Sequence, residues 1–136
     1  MDNGAKPKHY KELKVWQKAV ELAKLISAIT GKFPSEEKFG LVAQMRRAAV
    51  SIVSNIAEGQ ARHSRGEFLL FISHSYGSSA ELESQLLLSR DFGFCGAEDF
   101  ARATALIDEE QKMLSGLRRS LEAGAQTRPS PRAPRH

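Results

Sequence analysis

The feature that most restricts this chain is a stripe. Phe68, Ile72, Ser75, Ser79, Leu82 and Leu86 follow one another by strictly alternating steps of four and three. A helix brings residues at that spacing onto one face, whereas a strand would need every second residue. The same rhythm returns in three other stretches. These are Val15, Ala19, Leu22, Ile26 and Ile29; Met45, Ala49, Ile52 and Ile56 with Val53 beside them; and Phe100, Ala103, Ile107, Glu110, Leu114, Leu117 and Leu121. Trp16, Val20 and Ala23 widen the first face beyond that of a two-stranded coil. Four amphipathic helices with short connections predict an all-α fold, an antiparallel up-down-up-down four-helix bundle.

Local punctuation sets the expected boundaries. The first helix starts near Leu13 and stops at Gly31, with Pro34 blocking continuation. Ser35 is the expected cap of the second helix, which runs through Gly40, at a cost of about 1 kcal/mol for an interior glycine, to the region 59–62. Ser64 and Glu67 form an S-x-x-E box at the start of the third helix. The fourth runs from Ala97 to Leu121, with Gly124 ending it. Residues 1–12 are thus expected to be a flexible lead-in, 13–124 the bundle and 125–136 a disordered basic Pro/Arg tail.

In the second helix the stretch QMRRAAVSIVSNIAEGQ (44–60) carries many small residues, among them Ala48, Ala49, Ser51, Ser54 and Ala57. The middle of the third stripe is small and polar too, and the run His74 to Ala80 is poor helix material by propensity. Small residues facing small residues predict that these two helices approach most closely there. A polar line, Gln44, Ser51, Asn55, Glu58 and Arg62, runs beside the apolar stripe. Ser51, Asn55, Glu58, Ser79 and Glu81 are read as a buried polar network that fixes helix register, because buried polar groups need partners.

Charge and composition narrow the function classes. The chain has 136 residues, 41% hydrophobic and 26% charged, which suits one globular domain. The formal net charge is +4, but the last twelve residues hold Arg128, Arg132 and Arg135 without an acid, leaving 17 basic against 16 acidic residues elsewhere. The high pI is therefore partly a tail effect and argues only weakly for a nucleic-acid partner. One cysteine, Cys95, excludes an intramolecular disulfide, and no signal-like or membrane-spanning run occurs. A reducing cytoplasmic setting is the simplest expectation.

Catalytic chemistry finds no support. The mid-bundle serines lack an activating base, since His74 lies on the other side of its helix from Ser75 and Ser79. A di-iron bundle needs Glu-x-x-His on two helices, and no Glu here is followed by His at the third position. His9, His63, His74, His136 and Cys95 show no metal-ligand spacing, and glycine-rich phosphate loops are absent. No catalytic, metal or cofactor residue is assigned. A basic cluster, Arg46, Arg47, Arg62 and Arg65, is a candidate phosphate track, extended by Lys6, Lys8, Lys11 and Lys14. The competing reading is mutual neutralisation. Residues 42–65 are +3 (four Arg against Glu58) and residues 66–91 are −3 (Arg90 against Glu67, Glu81, Glu83 and Asp91). Leu70 and Leu88 project about 160° from the Phe68 line, and Val50 and Ala57 lie far from the Met45 line. Helices that are apolar on a second side suggest an interface between copies of the chain.

The residues also carry a resemblance. The order VWQKAVELA, then Phe33, Pro34 and Glu37, then QMRRAAVSIVSNIAEG and EFLLFISHSYGSSAELESQL, resembles the bacterial 23S rRNA intervening-sequence proteins over about Leu13 to Leu121. Val53 stands where that family often has proline, and the Arg/Pro tail is peculiar to this chain. The resemblance implies a homopentameric ring of four-helix bundles without an established activity. It extends to retroelement accessory variability proteins, which are basic pentamers that bind nucleic acid and a reverse transcriptase. The expected function is thus a non-enzymatic cytoplasmic structural or interaction protein forming a homo-oligomeric ring. The alternative is an accessory protein that binds RNA or DNA through the second helix and the termini.

Overall fold

The computed structural model describes residues 9–127, with side chains placed as far as Gly124. The proposed lead-in up to residue 8 and the tail from residue 128 lie outside the described residues. Four helices follow in order: α1 (Lys14–Thr30), α2 (Leu41–Ala61), α3 (Arg65–Asp91) and α4 (Ala97–Thr127). Each packs on its neighbours in sequence, and α4 closes the bundle against α1, so α2 and α4 are diagonal. This is the expected antiparallel four-helix bundle. The stripes meet in a core whose fully buried side chains include Leu22, Ile26, Met45, Ile52, Ile56, Ile72, Leu82, Leu86, Ile107 and Leu114. Each such side chain contributes about 1.5–3 kcal/mol by leaving water.

Several boundaries follow the residues as read. Gly31 caps α1, although in right-handed conformation (φ −63°), so the position does not require a glycine backbone. Ser64 Oγ accepts the Glu67 N–H at 3.1 Å, the first half of a capping box. After α3, Phe94 N–H reaches Ser89 O and Gly93 N–H reaches Arg90 O, both 2.9 Å, with Gly93 at φ +81°. That is a Schellman stop, and its left-handed residue is the glycine.

Two boundaries differ. The second helix does not begin at Ser35. Ser35–Glu37 is a single 3-10 turn, and Gly40, at φ −105° and ψ −109°, is the N-cap of α2. The glycine therefore breaks the helix there, and the interior penalty assigned to it does not apply. At the other end, α4 passes through Gly124 to Thr127. A glycine inside a docked helix is tolerated where nothing demands a reversal of the chain.

Packing of α2 on α3 is close along their length. Gly59 is buried, and a Cβ placed on it would lie 2.8 Å from Phe71 Cβ and 3.3 Å from the Phe68 carbonyl oxygen. One turn or more away, Ser75 Oγ donates to Ile52 O at 2.9 Å and the Ser51 and Ser78 hydroxyls share a 2.8 Å hydrogen bond. Small residues let the backbones come near enough for a seryl hydroxyl to reach across.

Candidate interaction surfaces

The four arginines of the expected phosphate track are not brought together. Arg46 reaches back to the end of α1, donating from Nε to Thr30 Oγ1 (2.9 Å) and from Nη2 to Ser27 O (3.1 Å). Arg62 donates to Glu58 Oε2 at 2.7 Å and its guanidinium lies 4.9 Å over the Phe71 ring. Arg65 folds against the α4 backbone, with Nη1 2.5 Å from where a Cβ on Gly124 would stand. Arg47 is exposed, with no ion pair or hydrogen bond among the described residues. Lys11 and Lys14 are exposed, while Lys6 and Lys8 lie outside the described residues.

The expected polar network divides into two. On one side Asn55 Nδ2 donates to Ser51 O (2.8 Å) and Ser51 Oγ (3.0 Å), and Ser51 continues to Ser78. On the other, Ser79 Oγ donates to Tyr76 O at 2.6 Å and accepts from Gln111 Nε2 at 3.2 Å, which also reaches Glu83 Oε1. Glu58 and Glu81 are corrections, since both carboxylates are at the surface of the chain, the first paired with Arg62 and the second with Gln85 Nε2 (3.3 Å). Long acidic side chains at the edge of a seam can turn outward to water, whereas seryl hydroxyls cannot.

None of these hydroxyls has a base beside it. His74 is exposed and stands edge-on to Phe71, with ring centroids 5.9 Å apart. Burial pushes the Cys95 thiol up, away from the reactive thiolate. Among the described residues no three His, Cys, Asp or Glu side chains group as metal ligands, and no helix is long and apolar enough to cross a membrane.

The residue that sequence reasoning passed over is Glu110. It occupies a seam position between Ile107 and Leu114, is 0% exposed, and neither carboxyl oxygen has a hydrogen-bond partner. Burial, reinforced by the neighbouring Glu109 carboxylate and opposed by Lys18, pushes its pKa up to about 8. The signal was present in the sequence, an acid at a position where the register calls for an apolar side chain.

The four candidate interface residues fall on two faces. Val50, 56% exposed, lines a shallow apolar groove between α1 and α2 with Val20, Ala23, Lys24, Ser27 and Val53. Val20, Ala23 and Val53 are half-buried, with Ala23 and Val53 packed against the core from the floor of this outer groove. Ala57, half-buried, is two turns along α2 from Val50. Leu70 and Leu88, 52% and 43% exposed, stand on the outer side of α3, eighteen residues apart and so at the same azimuth. The ends of the bundle add exposed aromatics that sequence reasoning did not single out. Phe39 is exposed in the α1–α2 connection with Lys38 Nζ 5.6 Å from its ring, and Phe92 packs on Phe94, which in turn meets Phe33.

Comparison with known proteins agrees with this architecture. No curated protein matches the chain. Among solved structures, a protein of unknown function from the S23 ribosomal protein family of Bacteroides thetaiotaomicron is 24% identical, with a TM-score of 0.72 over 77% of this chain and 95% of that one. That likeness establishes the fold. The family described as 23S rRNA-intervening sequence protein matches residues 11–116, nearly the whole bundle. With that match running from before α1 well into α4, the chain belongs to the 23S rRNA-intervening sequence protein family.

Proposed function

We propose that this chain is a non-enzymatic cytoplasmic assembly protein whose copies associate head to tail into a closed ring of five. The observation that carries this reading is the presence of two different exposed apolar faces, the Val50 groove between α1 and α2 and the Leu70/Leu88 line on α3. A two-fold dimer needs one self-complementary patch, whereas a ring needs two unlike patches that fit each other. The charges favour the same pairing. Lys24 lines the groove, while Glu67 and Glu81 are exposed on α3, the helix that carries the leucines. The number five comes from the family resemblance.

Solution mass tests this. Wild-type protein is expected to run as a ring at micromolar concentration, and a monomer there overturns the proposal. Val50→Glu damages only the groove and Leu70→Glu only the α3 line, so each alone abolishes the ring. Mixed, the two variants retain one intact pair of faces between them and form a dimer. No dimer on mixing rejects the head-to-tail arrangement.

A nucleic-acid role draws support from Arg47, an exposed arginine with no ion pair among the described residues. Anisotropy of a labelled ribosomal RNA fragment at ~50 and ~200 mM salt measures it. Several phosphate contacts lower affinity by orders of magnitude across that range. If Arg47→Ala leaves any binding unchanged, α2 is not the contact.

A further inference from the structure

A buried acid without a partner needs an explanation, because a bundle that wanted only adhesion at that position would carry leucine. Glu110 lies on the side of the α4 seam that turns toward α1. The Lys18–Glu109 bridge, 3.4 Å, joins α1 and α4 at this level, and Ala19 and Glu110, the next residue on each helix, are both fully buried. Two elements pack against α4. From α1 the charged groups are Lys18 and Glu21, joined at 3.3 Å. From α3 there is Glu83, whose carboxylate accepts from Gln111, the residue after Glu110. On α4 itself there is Glu109, exposed and held by Lys18. None of these hydrogen-bonds Glu110, and Lys18, already engaged by Glu21 and Glu109, offsets a charge there only in part.

We propose that Glu110 makes the cohesion of the bundle depend on a proton: α4 docks fully against the rest of the bundle while the carboxyl is neutral, and loss of the proton loosens that docking. The carboxyl ordinarily titrates near 4.5 and here is pushed up to about 8. Below 4.5 it is protonated whether the chain is folded or unfolded, and its stabilising contribution is fully present. Between 4.5 and 8 the unfolded chain has lost the proton and the folded chain keeps it, so stability falls as pH rises. Above 8 the folded chain ionises too and the dependence ends. Within the window the folding equilibrium constant drops about tenfold per pH unit from this one group.

The test compares urea unfolding of the full chain and Glu110→Gln, at one protein concentration, from pH 5 to 9. Glutamine keeps the shape and cannot ionise, so its profile is expected to be flatter by about one proton between pH 5.5 and 7.5. Parallel profiles for the two proteins overturn the proposal. The infrared carbonyl band of a neutral carboxylic acid supplies a readout that needs no variant. Wild-type protein is expected to show it at pH 7 and lose it above pH 8, and its absence at pH 7 overturns the proposal even if Glu110→Gln fails to fold.

Discussion

Along the α2–α3 seam the buried serines meet carbonyls: Ser75 donates to Ile52 O and Ser89 to Gln85 O. Between α1 and α4 lies the buried Glu110, and its carboxyl meets no partner. The difference is one of reach and of donors. A seryl hydroxyl can donate to a carbonyl of its own preceding turn, so a serine at a seam position brings its partner with it. A carboxylate needs donors, and the N–H groups of a continuous helix are already used. Polar residues at a seam are therefore benign when small and hydroxylated, and costly when long and acidic. Small size has a second effect, since it lets α2 and α3 approach until Gly59 has no room for a Cβ.

The strongest way to break this comparison is Gly59→Val. The new side chain would collide with Phe71 Cβ and with the α3 backbone at Phe68, neither of which can swing away. A loss of about 3 kcal/mol in urea unfolding is expected, typical of overpacking. A neutral result would mean that the α2–α3 seam is slack.

Glu110→Leu should act in the opposite direction. At pH 8 it removes the burden of a carboxyl whose folded and unfolded values are about 8 and 4.5. A gain on the order of 2–4 kcal/mol is expected there, shrinking as pH falls toward 5. Thermal unfolding at the two pH values checks both parts, and a gain that does not depend on pH would reduce Glu110 to a packing fault.

Ser75→Ala removes the hydroxyl from Ile52 O and should cost about 1 kcal/mol, the usual net value of one hydrogen bond. The smallest effect belongs to the α1–α4 surface. Lys18→Ala breaks bridges to Glu21 and Glu109 that water already screens, so the unfolding curve at neutral pH should not move measurably.

Much of this was legible in the chain. The four stripes name their helices because a residue pair three or four apart shares a helix face whatever the surroundings. Ser64 with Glu67 acts through the backbone of its own first turn, so its role was readable too. Gly40 was not, because a glycine inside a helix and a glycine that opens one have the same neighbours in sequence. The arginines show the limit more sharply. Arg46 and Arg47 are adjacent in the chain, yet one is tied to Thr30 and Ser27 while the other is free in solvent.

What the sequence determined by itself was periodic and local: four helices, their order, most of their ends and the family. These follow from spacing and capping chemistry, which act over a few residues. The tertiary structure decided which polar groups found partners. Glu58 and Glu81 turned outward, Arg46 and Arg65 folded onto other helices, and Glu110 was enclosed with nothing to bind. Those outcomes depend on which helix stands opposite and how near it comes, and that is set only when all four close on one another.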